Sequence, residues 1–363
     1  MSLTIDLHID VTHAVDLGGP AHVAVTVVLP DPAHLPAQPV VCFAKPGGGY
    51  SRFYFTHALP GPATSVEPGA QADFHVARGW IFVALDNLGS GESSIHDAGG
   101  LGFTNVTRAA LAAEQEVLLR LANGILAPGY PPVLQPVRIG IGQSTGGSLT
   151  IVQQARHGCF DGIGVLGFSA VHSHPATPPG EVPVVTPWFS REVAPDAPGG
   201  ILNAAAVAAA SDAGGSEAAW AALAWGFHYD DVPQDVVEQD LAHYEGMAQG
   251  VVTAPPSVRE RELAPWNSYT TPNDATRFTL TPGAVAPEAA AIAVPVLSAM
   301  GERDLVVDPL GEARAFRSAP SFDLFVCPRM GHMHNFAGTR ALFWERIHHF
   351  GEWCAAAKGY AAP

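Results

Sequence analysis

Charge is what this chain has least of: Asp, Glu, Lys and Arg together make up 14% of its 363 residues, against 47% hydrophobic. A chain so apolar buries a core and does not stay disordered. Basic residues are the scarcer half, 18 against 34 acidic, for a formal charge of −16. With no local basic patch to reverse that field, a nucleic-acid partner is excluded. Cysteine is sparse too. Cys42, Cys159, Cys327 and Cys354 stand far apart, with no CxxC pair and no metal-ligand spacing, and read as buried free thiols. No run of about 18 apolar residues offers a membrane span. Met1 to Val11 alternates acidic and apolar residues, where a signal peptide would place a basic start and an apolar block. A cytoplasmic location is the expectation.

Glycine and proline are plentiful, 38 and 32 residues spread along the chain, and imply many turns and caps. The length suits one large α/β domain with an insertion, or two ordinary domains. Leu3, Ile5, Leu7 and Ile9, then Val23, Val25 and Val27, alternate in the strand manner around a turn at Gly18, Gly19 and Pro20, predicting an antiparallel hairpin at a sheet edge. From Pro39 the pattern becomes short continuous apolar runs: Val40 to Ala44, Trp80 to Leu85, Val137 to Ile141 and Gly162 to Gly167. Such runs suit parallel strands covered on both faces. Helical spacing over Arg108 to Leu126 and Gly146 to His157 gives strand and helix in alternation, a doubly wound sheet.

That order lapses between 170 and 291. A Pro-rich stretch, Pro175 to Pro198, precedes helical segments at Ile201 to Ala210, Glu217 to Trp225 and Gln234 to Met247, the last started by Asp231 and Pro233. Sheet character resumes with Val294 to Met300 and Phe322 to Cys327, before a helix over Arg340 to Ala357. The expected organisation is an α/β core over 1–169 and 292–363, with an inserted helical cap over 170–291. No internal repeat is visible.

The motif with most chemical content is Gly142-Gln143-Ser144-Thr145-Gly146, set between the run Val137 to Ile141 and a helical stretch. A serine there sits on a sharp strand-to-helix turn, and the flanking glycines leave room for tight backbone, so its hydroxyl is lifted clear for attack. In this context the chain resembles the α/β hydrolases over most of its length. Asp86-Asn87-Leu88-Gly89-Ser90-Gly91-Glu92-Ser93 is similar to that family's D-x-x-G-x-G-x-S segment, a structural loop. Ala44-Lys45-Pro46-Gly47-Gly48-Gly49-Tyr50 stands where the family places its oxyanion loop, with Pro46 in place of the usual His. The resemblance implies two oxyanion donors, the Thr145 N–H and that of Gly48 or Gly49.

It further implies a triad carboxylate at Asp304 in Gly301-Glu302-Arg303-Asp304-Leu305-Val306-Val307-Asp308-Pro309. Asp308 is the rival, although an Asp before Pro309 also suits a helix cap, and Glu302 is a third option. The base falls in Met330-Gly331-His332-Met333-His334-Asn335-Phe336, at His332 or, alternatively, His334. The order Ser144, Asp304, His332 is that of the family. What the resemblance implies is hydrolysis of a carboxylic ester, lactone or thioester through an acyl-enzyme on Ser144, with no metal and no organic cofactor. The pairs His172 with His174 and His348 with His349 lack a patterned third ligand. Trp188, Trp220, Trp225, Phe227, Tyr229, Trp266 and Tyr269 gather in the cap, where they either line a pocket for a hydrophobic acyl substrate or pack the cap on the core. Acyl transfer, carbon–carbon bond hydrolysis and non-catalytic ligand binding are alternatives on the same scaffold.

Overall fold

In the computed structural model, which describes residues 2–62, 69–96, 101–174, 176–181, 217–243, 263–272, 275, 279 and 281–361, the apolar runs become strands of one sheet. These are β1 (Leu3–Asp10), β2 (His22–Leu29), β3 (Val40–Lys45), β4 (Ile81–Leu85), β5 (Val137–Gln143), β6 (Gly162–Leu166), β7 (Val296–Arg303) and β8 (Phe322–Gly331). Their order is β1-β2-β4-β3-β5-β6-β7-β8. β2 pairs antiparallel with both β1 and β4, and every later pair is parallel. The expected edge hairpin is therefore β1–β2, and Ile5, Leu7 and Ile9 face inward from the rim.

Helices α1 (Phe53–Thr56), α2 (Gln71–Val76), α3 (Phe103–Ala122) and α4 (Thr145–His157) precede β6, whereas α5 (Glu217–Phe227), α6 (Gln234–Leu241) and α7 (Ala286–Ala291) lie between β6 and β7. Helix α8 (Arg340–Ala361) closes the chain. The sheet splits the core in two. Val41 and Phe43 of β3 join α3 and α4 on one face, while Val40, Cys42 and Ala44 join α2 and α8 on the other. Val40 to Ala44 of β3 are all buried, which is why they read as an unbroken apolar run, and the strand ends on Lys45, buried against Glu114 at 2.7 Å. Fully burying a Val or Phe side chain contributes about 1.5–3 kcal/mol.

Element boundaries differ from expectation where hydrogen bonding outruns hydropathy. Strands expected to stop at Ile141 and Cys327 continue to Gln143 and Gly331 because the ladder to the neighbouring strands continues. Helix α3 starts at Phe103, before the expected Arg108, through Thr104, Asn105 and Thr107, poor helix formers that masked the start. It ends early because Gly124 turns left-handed at φ 64. The segment Ile201 to Ala210 and the end of Gln234 to Met247 lie outside the described residues. Among the described residues no helix is long and apolar enough to cross a membrane.

Candidate active site

β3 leads out to β4 on one side of the sheet and the chain returns to β5 on the other, so β3 and β5 flank the switch point, the place where sheets of this kind bind ligands. Ser144 sits there, between β5 and α4, with φ 54 and ψ −122. This is a conformation that side chains rarely adopt, and it costs about 1–3 kcal/mol. The turn is held by the Ser144 N–H donating to the Leu166 carbonyl at 2.8 Å. The motif's glycines are obligatory: a Cβ on Gly142 would lie 2.0 Å from the Gly146 carbonyl oxygen, and one on Gly146 would lie 2.2 Å from that of Lys45.

The carboxylate and the imidazoles converge on β7 and β8. Asp304 Oδ1 accepts from His332 Nδ1 at 2.7 Å, and Asp304 Oδ2 accepts from His334 Nε2 at 2.7 Å. The backbone N–H groups of Leu305 and Gly301 donate to the same oxygens at 2.7 and 2.9 Å. Burial by itself would raise the pKa of Asp304, but the pull of His332 and the hydrogen bonds from both rings outweigh it and hold the carboxyl well below the usual range. Asp308 lies outside this cluster and caps the turn Pro309–Arg314, accepting from the Gly311 N–H at 3.1 Å. Glu302 is exposed and accepts from the Arg329 N–H at 2.9 Å.

Gln143, the residue before the serine, identifies the His332 tautomer. Its Nε2 lies 3.1 Å from the His332 carbonyl oxygen and 3.1 Å from His332 Nε2. Only an amide NH2 can serve the carbonyl, so its other N–H meets a lone pair on Nε2 and the ring proton resides on Nδ1, toward Asp304. Ser144 Oγ makes no hydrogen bond among the described residues. Gln143 went unnoticed in the sequence although it stands inside the motif, because the x positions of G-x-S-x-G are not specified by the turn.

The glycine loop covers the elbow. A Cβ on Gly47 would meet Ser144 Cβ at 3.1 Å and Gln143 Oε1 at 2.4 Å, so Gly47, which the sequence did not single out, is the loop residue pressed on the serine. Gly48 is half-buried, and Gly49 turns at φ 80 and accepts from the Ser268 N–H at 2.8 Å. Thr145 is the first residue of α4, where an N–H has no intrahelical acceptor, and its hydroxyl pairs with Thr279 Oγ1 at 2.9 Å. Behind the loop, Asn87 Nδ2 donates to the Pro46 carbonyl at 3.0 Å. The adjoining Asp86 is buried against Arg52 at 2.7 Å, in the structural role its motif implied.

A second buried carboxylate, Asp240, ties the loop to the segments between β6 and β7. It accepts from Tyr50 Oη, His228 Nε2 and Trp266 Nε1, each at 2.9 Å. The C-terminal end of α5 in turn accepts from the histidine loop, the N–H groups of His332 and Met333 donating to the carbonyls of Gly226 and Phe227 at 2.9 Å. The signal for Asp240 was available: with Val236, Val237 and Leu241 it falls on the buried stripe of α6, where a polar residue demands partners.

Of the aromatic residues assigned to the insertion, Phe227 packs against His332 at 4.9 Å, Trp266 against Phe336 at 5.5 Å, and Trp225 and Tyr229 take Arg303 between them at 4.5 and 4.2 Å. Tyr269 is half-buried, Trp188 lies outside the described residues, and the Trp220 side chain is likewise not described. His172 and His174 lie with ring centroids 3.5 Å apart, their planes tilted by 51°. His348 and His349 face Glu352 and Glu345 along α8 at 3.4 and 3.3 Å. The donor atoms of Asp304, His332 and His334 lie within 4.8 Å of one another, a metal-ligand spacing, but contacts of 2.7 Å between oxygen and ring nitrogen are hydrogen bonds that need the ring protons in place.

No protein-family model matches the chain, and no curated protein matches it. Solved structures do. A proline iminopeptidase from Mycobacterium smegmatis is 15% identical, with a TM-score of 0.55 over 98% of this chain and 100% of that one. A haloalkane dehalogenase loop variant from Bradyrhizobium elkanii is 14% identical, at 0.54 over the whole of both chains, 100% of each. An esterase from Thermogutta terrifontis is 12% identical, at 0.51 over 96% and 99%. Their activities differ, and at these identities the likeness speaks for the scaffold. With one mostly parallel eight-stranded sheet, helices on both faces and a serine elbow after β5, the chain has the α/β-hydrolase fold.

Proposed function

We propose that the protein is a serine hydrolase that cleaves a carboxylic ester, thioesters and lactones included, through an acyl-enzyme on Ser144. The observation that carries this reading is the placement of His332: its Nδ1 lies 2.7 Å from Asp304 Oδ1, and its Nε2 faces Gln143, the residue before Ser144, at 3.1 Å, so that with the ring proton on Nδ1 the Nε2 lone pair is the free base. That lone pair takes the serine proton as Ser144 Oγ attacks the carbonyl; Asp304 holds the ring and stabilises its charge, and the Gln143 amide gives way as the proton arrives. The N–H of Thr145 and an N–H of the Gly47–Gly49 loop receive the developing oxyanion. His332 then protonates the leaving alcohol or thiol and activates the water that releases the acid.

The segment 170–291 acts as the cap in this reading. Phe227, against the base, favours an apolar group on the substrate beside the scissile bond, and the Thr145–Thr279 hydroxyl pair adds a polar contact next to the serine. The test is labelling with a fluorophosphonate, read by mass spectrometry, together with a panel of p-nitrophenyl esters. The parent is expected to carry the adduct on Ser144, and Ser144→Ala and His332→Ala to lose it. A folded parent that stays unlabelled and inert on the panel overturns the reading.

A further inference from the structure

His334 has no task in that mechanism, yet it is as buried as His332, each 2% exposed, and holds Asp304 at the same 2.7 Å. One carboxylate thus serves two imidazoles, one on each oxygen. The rings differ in what they face. His332 lies against Phe227 and the Gln143 amide, toward the elbow. His334 lies in the turn His334–Phe336 against Phe343 of α8, 4.3 Å between centroids. The Tyr54 hydroxyl of α1 accepts from the next N–H, that of Asn335, at 3.1 Å. Among the described residues, the charged or titratable groups around the pair are therefore Asp304, each other and Tyr54.

We propose that His334 is a positioning residue for the reaction: by donating Nε2–H to Asp304 Oδ2 it fixes the carboxylate plane and draws off part of the charge that would otherwise stabilise a protonated His332. This rests on His332 being the base. A hydrogen bond to one oxygen of a carboxylate lowers the electron density on both, so His332 feels a weaker anion and sheds its proton at a lower pH than it would beside an Asp304 without this second partner. Burial pushes His334 below its own ordinary pKa, against the pull of Asp304. The neutral ring is therefore the form in which His334 donates. The device keeps the base available in mildly acidic solution.

The test compares the parent with His334→Phe, which keeps a ring against Phe343 but has no donor, and with His334→Gln, whose amide reaches where Nε2 stood. The rate of Ser144 labelling by a fluorophosphonate is measured against pH, and His332 is titrated by NMR of its ring nitrogens. In His334→Phe the acidic limb and the His332 titration should both move up by about one pH unit, making labelling about tenfold slower below the limb. His334→Gln should restore the parent profile. Should the Phe variant fail to fold, His334→Asn, one carbon too short for Oδ2, replaces it and should shift as Phe would. An unmoved limb and titration in the folded donorless variant, or a Gln variant that shifts with it, overturns the proposal. So does loss of labelling at every pH in His334→Phe while His332→Ala still labels, since His334 would then be the base itself. If the parent never labels, the hydrolase reading falls and the role in the reaction with it, while the NMR titration separately decides whether His334 sets the basicity of His332.

Discussion

Ser144 stores strain at the point where the chemistry is proposed. Its φ of 54 and ψ of −122 lie where a Cβ crowds the backbone, and only glycine is at ease there. Ser144→Gly should therefore stabilise the fold by about 1 kcal/mol, the strain relieved less the chain entropy that glycine adds to the unfolded state, while abolishing labelling. Ser144→Ala keeps the Cβ, so its denaturation midpoint should match the parent. Urea titrations of the three proteins read the difference, and equal midpoints for Gly and Ala would show that the elbow is unstrained.

Among the elements, the decisive joint is Asp240 of α6, three donors converging on a carboxylate with no exposed surface. Asp240→Ala would leave the Tyr50 hydroxyl and the Trp266 and His228 N–H groups buried without their acceptor, a loss of about 3–5 kcal/mol. The Gly47–Tyr50 loop would lose its anchor at the same time. The expected result is a lower urea midpoint and, at temperatures where the variant is still folded, a fall in kcat with little change in KM. This scale also shows what the sequence disclosed. The strands and the elbow were legible because burial on both faces writes itself as apolar runs and because G-x-S-x-G has one backbone solution. The triad assignments rested on a resemblance, and the two open pairs, Asp304 with Asp308 and His332 with His334, stayed open because neighbours along the chain differ only in which way the loop turns. Asp240, Gln143 and Gly47 act through contacts with residues distant in sequence, which no local pattern reports.

Across the whole molecule, buried neutral histidines set the response to acid. His243 is fully buried, and burial lowers its pKa to about 4. His75 is enclosed between Trp80, Phe82 and His348, and burial keeps it well below 6.5. A group depressed in the fold takes up its proton first in the unfolded chain, so its stabilisation is complete above pH 6.5 and is lost as pH falls from there toward the folded value. For His243 alone the loss between pH 8 and pH 4 is about 3 kcal/mol. Asp304 is depressed too, but its contribution is lost only as pH falls into the ordinary carboxylate range and below it. Glu114 and Glu312, raised chiefly by burial, act in the opposite sense and favour the fold as pH falls. Melting temperatures should hold between pH 7 and 8 and drop steadily from pH 6.5 to 4.5; a flat profile would mean that these histidines are hydrated in the native state.

The glycines around the site have a consequence for how such a protein can drift. A Cβ at Gly142, Gly146, Gly301 or Gly331 would meet backbone oxygen at 2.0, 2.2, 2.4 and 2.5 Å, and backbone cannot step aside as a side chain can. In a library of all single substitutions these four positions should be nearly empty among the active clones, although none of them offers a side chain to a substrate. Two chains that share this site and almost nothing else would still agree at these glycines and at the residues between them. Agreement at such glycines would mark shared backbone geometry and carry no information about the substrate.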